Sequence, residues 1–558
     1  MTRLVRRFAW PAGLAVAAAV LFLAYLRLSN TYAEDSDQAN LGLQAWDMLH
    51  GNLVLHGWVL SDVTFWTTEL PQYVLLEAIN GLNPATFHLA AAMTYTLALL
   101  LAVLLARGTR AAREPGPAGG REGVARALLA GGIMLAPQLG VGVFMLLLTV
   151  GHFGTSVPLL VTWLLLDRLR PRWYVPVLAG LLLAWGAIAD ALVLLVGVAP
   201  LALVALVQAA TALITRRGWR PVGYHLALAA AAGAAAGIWA GAPPVLSSLG
   251  GYSVHQVPFQ VIAWSSLGTH ARTAGLGLLA LFGANFQGVN GQPAVAFAAL
   301  HLVGVAVAAL AVVVTVGRFS GRGLVDQVLA VAIVAAVLLY LGSNFSSGIL
   351  NGREIGVVLP ASAALAGRTL APWLARPRRV LQPQEPLQPQ EPLQPQKTPW
   401  SLWPRRALAS VLALVLAGYA ACLGYQLTKP SVPAANAQLA TWLSAHHLTH
   451  GLSGYWQASS VTVDSADRIT VRAITNHFSG VVPYDWETKP SWFDGRTQYA
   501  NFVVLQNQPG YFSNWNYGAN VKHVFGAPAA TYRTGPYTIL VWHQNLLLAL
   551  HQWEQRAS

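Results

Sequence analysis

The sequence predicts a mostly α-helical, polytopic membrane protein, and three observations carry this prediction. Only 10% of the 558 residues are charged, whereas an average soluble protein has roughly 25%. Hydrophobic residues make up 55% of the chain, and its mean hydropathy is +0.50. The apolar residues are also clustered, since runs such as 12–26, 97–106 and 303–316 contain no charged residue. These features exclude a single soluble globule, a disordered chain and a fibrous repeat.

About eleven segments are long and apolar enough to be read as membrane spans. They are predicted at 8–28, 87–106, 127–147, 153–167, 174–189, 191–214, 222–242, 294–316, 324–342, 355–372 and 407–425. With a cytoplasmic N-terminus, most of the 34 Lys and Arg residues fall in the segments predicted to lie inside. Because Lys and Arg favour cytoplasmic loops, membrane topology explains the net charge of +13, and no nucleic-acid partner is expected.

The chain divides into a transmembrane domain, 1–425, and an extracytoplasmic domain, 426–558. A long outside loop, 29–87, follows the first span, and a cytoplasmic Pro- and Gln-rich linker at 373–405 favours polyproline II. The tail is less apolar and is predicted to be a small α+β domain. Its predicted elements are a helix at 434–447 and strands at 460–463, 468–472, 502–505 and 538–542. Aromatic residues around Tyr484–Glu487 are suited to stacking on sugars, although such residues more often fill a core.

The first outside loop is rich in carboxylates and lacks basic residues. There is no Lys or Arg between Arg27 and Arg107. The simple interpretation is a solvated loop whose negative charge has no function. Aromatic residues are interleaved with the carboxylates, however, and favour a position at the membrane. Carboxylates at such a boundary need a partner, a metal ion or a wet cavity, which indicates a functional role for at least one of them. The loop contains Glu34, Asp35, Asp37, Asp47, Asp62, Glu69 and Glu77.

A helix is predicted directly after Asp37. Leu41, Ala45, Met48 and Leu49 fall at i, i+4, i+7 and i+8, a spacing that predicts an amphipathic helix lying in the interface plane. The helix dipole favours a negative charge at the position of Asp37. An ionised Asp at a membrane surface can act as a general base or bind a divalent cation.

The stretch Asp37-Gln-Ala-Asn-Leu-Gly-Leu-Gln-Ala-Trp-Asp-Met-Leu-His-Gly-Asn52 resembles the opening motif of the GT-C membrane glycosyltransferases. This superfamily includes protein O-mannosyltransferases and lipid A aminoarabinose transferases. The long first loop, the number of spans and the C-terminal outside domain agree with the resemblance. It implies transfer of a sugar from a polyprenyl-phosphate carrier to a glycan, lipid or protein acceptor at the outer membrane face.

By this resemblance, Asp37 is the base that deprotonates the acceptor hydroxyl, and Asp35 is the alternative because a register shift of two is allowed. The frequent Asp-Glu pair of the family is here Asp37-Gln38, so the second acid is not assigned. Asp35 and Glu69 are candidate ligands of a divalent cation, although crowded carboxylates can equally share protons. No tight spacing of His and carboxylates establishes a metal site.

Three further residues of the loop region are candidates for substrate binding. Asp62 and Glu69 are predicted to line the sugar site or to bind a cation together with His88. The alternatives are simple: Glu69 can be an acid at a helix N-terminus, and His88 an interfacial histidine.

Arg353 is the candidate clamp for the phosphate of the carrier. It lies at the outside end of the tenth predicted span, and a guanidinium there can grip a phosphate with two hydrogen bonds. Similar GT-C enzymes place an Arg or Lys in a late loop for this purpose. The alternatives are a pair with Glu354 or a contact with lipid headgroups. His152 and Asp190 also lie at outside ends of spans, but neither is assigned a catalytic role.

The sequence therefore predicts a glycosyltransferase, with membrane lipids and a polyprenyl-phosphate-linked sugar as partners. The rival class is a transporter or lipid flippase, but no repeated halves are found in the sequence. A catalytically silent assembly protein that keeps the fold is a third possibility. The chain contains no P-loop, GxGxxG or HExxH motif, so nucleotide hydrolysis and zinc proteolysis have no support.

Overall fold

The computed structural model describes residues 2–557 apart from 114–116, 149–150, 217, 256, 288–290, 376–402 and 508–513. The segment predicted as a Pro- and Gln-rich linker falls mostly within 376–402 and so lies outside the described residues. The rest of the chain is mostly helical, with its larger sheet at the C-terminal end. The predicted fold class is confirmed.

Fifteen α-helices precede residue 428 in the described ranges. In chain order they are α1 (Thr2–Ser29), α2 (Ser36–Leu49), α3 (Glu69–Asn80), α4 (Ala85–Arg113), α5 (Pro117–Met134), α6 (Val141–Leu147), α7 (Ser156–Arg168), α8 (Tyr174–Ala189), α9 (Ala199–Ile214), α10 (Trp219–Ser248), α11 (Leu267–Leu281), α12 (Gln292–Gly317), α13 (Leu324–Leu341), α14 (Val358–Ala375) and α15 (Trp403–Leu427). Of these, α1, α4, α10, α12, α13 and α15 contain stretches long and apolar enough to span a bilayer. Helix α9 does so together with the π turn Leu194–Val198 before it.

Two of the predicted spans are interrupted. The predicted span 127–147 is two helices, because α5 ends at Met134 and α6 begins at Val141. Pro137 explains the break, since it lacks an N–H and disfavours helical geometry at the residue before it. The predicted tenth span consists of the 3-10 helix Ile349–Ile355 and α14, with a bend of 61° between them. The bend leaves Arg353 and Glu354 on a short segment at one end of the bundle.

The strands form two sheets. They are β1 (Val59–Leu60), β2 (Ser253–Val254), β3 (His450–Ser453), β4 (Thr470–His477), β5 (Gly480–Pro483), β6 (Phe502–Gln506), β7 (Ala530–Thr534) and β8 (Tyr537–Val541). The larger sheet has the order β5-β4-β3-β6-β8-β7, in which β3 pairs in parallel with β4 and β6 and the other neighbours are antiparallel. The tail helices are α16 (Ala437–Ala445), α17 (Tyr455–Asp464), α18 (Asn514–Phe525) and α19 (Leu546–Ala557).

The α+β prediction for the tail is correct in outline, with one error. The helix predicted at 434–447 and the strands predicted at 502–505 and 538–542 are present. The predicted strand at 460–463 is wrong, because this segment belongs to α17. Helix α17 connects the parallel neighbours β3 and β4, and a parallel connection needs a crossover, which overrides the β propensity of the local Val and Thr residues.

The first outside loop packs beneath the tail domain. Helix α2 forms as predicted, with Asp35 as its N-cap. It contacts α3 and α17, and most of its residues are buried, including the polar Gln38, Asn40 and Gln44. The position of α2 in the interface plane stays a prediction. The tail domain covers the polar face of α2 and bonds to Asn40 through Tyr455, Ser459 and Glu487.

Backbone hydrogen bonds fix this arrangement. The Val59 N–H donates to the Thr488 carbonyl at 2.8 Å, and the Thr488 N–H donates to the Val59 carbonyl at 3.1 Å. Strand β1 also pairs in parallel with β2, which follows α10. The loop after the first span, the region around residue 253 and the tail domain therefore form one continuous structure over the end of the bundle.

Candidate functional site

Asp37 lies in the first turn of α2, and its carboxylate receives hydrogen bonds from two distant parts of the chain. Arg353 Nη1 lies 3.3 Å from Asp37 Oδ2, and the Tyr455 hydroxyl donates to Asp37 Oδ1 at 2.8 Å. Both partners are donors, which is what an ionised carboxylate requires. The structure thus brings together the two residues that the sequence analysis singled out as base and phosphate clamp, and it adds a tyrosine from the tail.

Asp35 serves as the N-cap of α2 in a reciprocal capping box. Its Oδ1 accepts the Asp37 N–H at 2.9 Å, while the Asp35 N–H donates to Gln38 Oε1 at 2.6 Å. Gln38 thus caps the helix without adding a third negative charge next to Asp35 and Asp37. Burial, followed by the negative charge of Asp37, raises the pKa of Asp35 to about 7. Asp35 can therefore hold a proton near neutral pH.

Glu487 is a buried carboxyl group that the sequence analysis did not assign to the site. Its Oε2 lies 2.8 Å from the Tyr455 hydroxyl oxygen and accepts a hydrogen bond from Asn40 Nδ2 at 3.0 Å, and its Oε1 accepts one from Ser61 Oγ at 3.1 Å. Burial, followed by the charge of Asp37, raises the pKa of Glu487 to about 8. At neutral pH the protonated form of Glu487 therefore predominates.

Counting the available protons shows which group donates in each hydrogen bond of Tyr455. Tyr455 has one hydroxyl proton, yet its oxygen lies 2.8 Å from an oxygen of Asp37 and 2.8 Å from an oxygen of Glu487. A single proton serves only one of these contacts, so the other must be supplied by a protonated carboxyl. Protonated Glu487 donating to Tyr455, which donates to ionised Asp37, satisfies both distances and agrees with the raised pKa of Glu487.

A second chain of charged groups approaches Arg353 from its other side. His152 Nδ1 lies 2.7 Å from Asp190 Oδ2, and His152 Nε2 lies 2.5 Å from Glu354 Oε2. Glu354 Oε1 in turn lies 3.4 Å from Arg353 Nε. The alternative in which Arg353 pairs with its neighbour is therefore realised together with the contact to Asp37. His152 and Asp190, which the sequence analysis left without a catalytic role, belong to the support of Arg353.

The charge of His152 follows from this position. Burial favours the neutral imidazole, but the flanking Asp190 and Glu354 outweigh it and raise the pKa of His152 well above its ordinary value. A protonated imidazole uses both ring N–H groups as donors to the two carboxylates. The Asp190–His152–Glu354 row consequently holds the carboxylate that orients Arg353.

Glu69 and Asp62 lie at the edge of this cluster. Glu69 borders a mostly apolar cavity of about 670 Å³ between α1, α3, α4, α7 and α8. Its carboxylate also fills the space next to Gly154, where an added Cβ would lie 1.6 Å from Glu69 Oε1. Burial raises the pKa of Glu69 to about 7 and also raises the pKa of Asp62. Their predicted roles in sugar binding stay predictions.

His88 is placed differently from the prediction. Its Nε2 lies 3.6 Å from Glu34 Oε2, and its Nδ1 lies 2.8 Å from Ser29 Oγ. It therefore pairs with Glu34 at the end of α1, and no contact joins it to Asp62 or Glu69 within the described ranges. The carboxylate in contact with His88 is instead that of Glu34, which precedes α2.

Nothing in the described part of the chain groups three or more His, Cys, Asp or Glu side chains in a way suited to a metal ion. Asp35 and Glu69 belong to separate surroundings, a helix cap and the edge of an apolar cavity. A divalent cation held by these two residues stays a prediction.

The raised pKa of Glu487 leads to a prediction about stability. The folded pKa of Glu487, about 8, lies above its ordinary value of 4.5, so the folded protein holds this proton more tightly than the unfolded chain. Stability from this group is complete below about pH 4.5 and is lost as the pH rises toward about 8. We expect Glu487→Gln to flatten the fall of stability between about pH 4.5 and about pH 8, by at most about 1.4 kcal/mol per pH unit, the value for one proton.

Thermal unfolding of the detergent-solubilised protein across this pH range measures the effect. Asp485→Asn is the matched control, because Asp485 lies two residues away with a largely exposed side chain. The control should show the same slope as the wild type. A slope for Glu487→Gln as steep as that of the wild type would contradict the assignment of the proton.

The sequence matches no family model and no curated protein. Solved structures similar to this chain include the following two. The archaeal oligosaccharyltransferase AglB from Archaeoglobus fulgidus, in complex with an inhibitory peptide and a dolichol-phosphate, is 12% identical; the similarity covers 90% of this chain and 70% of AglB at a TM-score of 0.45. ArnT from Cupriavidus metallidurans, bound to undecaprenyl phosphate, is 15% identical; the similarity covers 95% of this chain and 98% of ArnT at a TM-score of 0.48. At these identities the similarity concerns the fold.

Proposed function

We propose that the protein is a membrane glycosyltransferase that moves a sugar from a polyprenyl-phosphate carrier to a hydroxyl acceptor at the extracytoplasmic face. The observation that carries the proposal is the contact of Asp37 with both Arg353, at 3.3 Å, and the Tyr455 hydroxyl, at 2.8 Å. A carboxylate that can accept a proton and a guanidinium that can bind a phosphate thus lie side by side at one end of the bundle. Sugar transfer from a lipid phosphate needs these two groups at one place.

The proposed reaction is a displacement at the anomeric carbon. Asp37 takes the proton of the acceptor hydroxyl, whose oxygen forms the new bond to the anomeric carbon. The bond between that carbon and the phosphate oxygen breaks, and its electron pair leaves with polyprenyl phosphate. Arg353 stabilises the negative charge that develops on the leaving phosphate. The proton ends on Asp37, and the configuration at the anomeric carbon is inverted.

The Asp37–Arg353 contact gives the two groups an order of action. Arg353 bonds to Asp37 in the structure, and a bound phosphate competes for the same guanidinium. Once Arg353 turns to the phosphate, Asp37 Oδ2 is released for the acceptor hydroxyl. Binding of the carrier therefore precedes the action of the base. The apolar cavity of about 670 Å³ beside Glu69 offers surroundings suited to a prenyl chain.

The rival functions differ from sugar transfer in that neither breaks a bond of the carrier. A flippase moves polyprenyl phosphate across the bilayer without breaking a bond, and a silent assembly protein does neither. The charged groups of the candidate site lie at one end of the bundle, beside the tail domain, whereas transporters bind their substrate near the bilayer midplane. This position favours the enzyme.

Purified full-length protein in nanodiscs, supplied with a panel of polyprenyl-phosphate sugars and with glycan, lipid and peptide acceptors, tests the proposal. We expect release of polyprenyl phosphate in equal amount to sugar incorporated, with at least one donor. Transbilayer movement of the carrier in liposomes without release of sugar would support the flippase instead. Carrier binding without turnover across the whole panel would support the silent protein.

A further inference from the structure

A second polar cluster lies at the end of the bundle opposite Asp37. Helix α4 connects the two ends: His88, in its first turns, contacts Ser29 and Glu34, while Gly108 lies twenty residues further along. At 1.5 Å per residue this stretch of helix is about 30 Å long, the thickness of the hydrocarbon core. The cluster therefore meets the other membrane surface, which the predicted topology makes the cytoplasmic one.

The cluster surrounds a cavity of about 560 Å³ whose lining is mainly polar. Its walls come from the ends of α4, α5, α7, α13 and α14 and from the turn that precedes α13. Basic side chains outnumber acidic ones by two, which leaves the lining positive. The charged lining residues are Arg126, Arg318, Arg322, Arg368, Asp167 and Asp326.

Both acidic side chains of the lining are engaged by one arginine. Arg368 Nη1 donates to Asp167 Oδ1 at 2.9 Å and to the Leu105 carbonyl at 2.9 Å, and Arg368 Nε bonds to Asp326. Arg126 is held separately by Glu122, through Nε at 3.1 Å and Nη2 at 2.6 Å. The two aspartates thus neutralise Arg368, and no contact joins either of them to Arg322 in the part of the chain that the structure describes.

A break in α4 lets two guanidiniums converge. Gly108 interrupts the helix with a φ of 63°, a conformation that residues with a Cβ rarely adopt. An added Cβ there would lie 3.1 Å from Arg126 Nη1 and 3.4 Å from Arg368 Nη1. The absence of a side chain at this position therefore leaves room in which both guanidiniums face the same space.

Arg318 and Arg322 stand on the turn before α13, where the cavity opens. Arg318 is exposed and Arg322 is half-buried. Over the ranges described here, the Arg322 side chain makes no hydrogen bond, ion pair or ring contact. A half-buried guanidinium has five donors to satisfy, and both carboxylates of the lining are already bonded to Arg368.

We propose that this cavity binds a phosphate-bearing anion, supplied either by the headgroup of an anionic phospholipid or by a soluble phosphate. Guanidinium groups match phosphate oxygens with pairs of hydrogen bonds, and four of them around one cavity outweigh its two carboxylates. The volume of about 560 Å³ is large enough for either source. The site is separate from the Asp37 cluster and does not depend on the function proposed for it.

The test measures binding to the full-length protein in detergent. Retention of phosphatidylglycerol is followed by native mass spectrometry, and binding of inorganic phosphate by equilibrium dialysis. The lining variant is Arg318→Gln with Arg322→Gln. The matched control is Arg170→Gln with Arg172→Gln, because these two exposed arginines follow α7 at the same end of the bundle and lie outside the lining.

We expect the lining variant to bind its anion about tenfold more weakly, and the control to bind like the wild type. A selective loss of phosphatidylglycerol identifies a lipid headgroup as the source, and a selective loss of phosphate identifies a soluble anion. Equal losses in both double variants would show general attraction to positive charge and overturn the proposal. Wild-type binding by the lining variant, or no binding of either probe by the wild type, would also overturn it.

Discussion

Replacing Asp37 by Asn is expected to lower the rate of sugar transfer by about 10²–10⁴-fold while leaving the protein folded. The amide has nearly the shape of the carboxyl group but cannot take up the proton of the acceptor. Its oxygen can still accept the Tyr455 hydroxyl, which bonds to Asp37 Oδ1 in the wild type. The loss should therefore appear in the chemical step and not in assembly.

Binding of the carrier separates this interpretation from a structural one. Arg353 loses a competing partner in Asp37→Asn but keeps its contact with Glu354 at 3.4 Å. Carrier affinity should therefore be unchanged or higher, although turnover is lost. Asp485→Asn, which removes a largely exposed carboxylate on the same side of the membrane, serves as the control and should turn over normally. Wild-type turnover by Asp37→Asn would rule out Asp37 as the base.

Replacing Arg353 by Gln is expected to lower turnover by about 10²–10³-fold and to weaken carrier binding as well. The variant removes the positive charge beside the leaving phosphate, so both the bound carrier and the transition state lose an interaction. Arg353→Lys should recover part of the binding because it keeps the charge, but not the full rate, because it lacks the paired donors of a guanidinium.

Measurements of kcat and of the dissociation constant for polyprenyl phosphate check these expectations. Arg533→Gln is the control, since Arg533 is an exposed arginine on β7 of the tail domain. Carrier binding by Arg353→Gln as tight as that of the wild type would show that the phosphate is held elsewhere. Activity of Arg353→Gln equal to that of the control would remove Arg353 from the site.

The contact between Asp37 and Arg353 was foreseeable because charge is scarce in this chain. Because only 10% of the residues are charged, each carboxylate or guanidinium near the end of a span was a candidate site residue. The predicted spans placed Asp37 and Arg353 at the same membrane surface. The helix after Asp37 was foreseeable from its apolar spacing. The sequence did not indicate that its polar face would be buried, because that depends on the docking of the tail.

Tyr455 and Glu487 illustrate what local sequence does not contain. Tyr455 stands 418 positions from Asp37, in a segment whose β-like composition concealed the helix α17 that it begins. Glu487 is next to aromatic residues that suggested sugar stacking, and only the backbone pairing of Thr488 with Val59 brings it under α2. The row formed by His152, Asp190 and Glu354 was missed for the same reason, because three separate segments meet there.

The contact between Asp37 and Tyr455 also sets when in synthesis the candidate site can be completed. At about 5–20 residues per second, a ribosome needs roughly 20–80 s to make the 418 residues between them. Throughout that interval the first loop is already translated while the hydroxyl that bonds to Asp37 Oδ1 does not yet exist. The order of the sequence thus leaves the candidate site of a nascent chain incomplete until the last quarter of the polypeptide has been made and has folded onto the first.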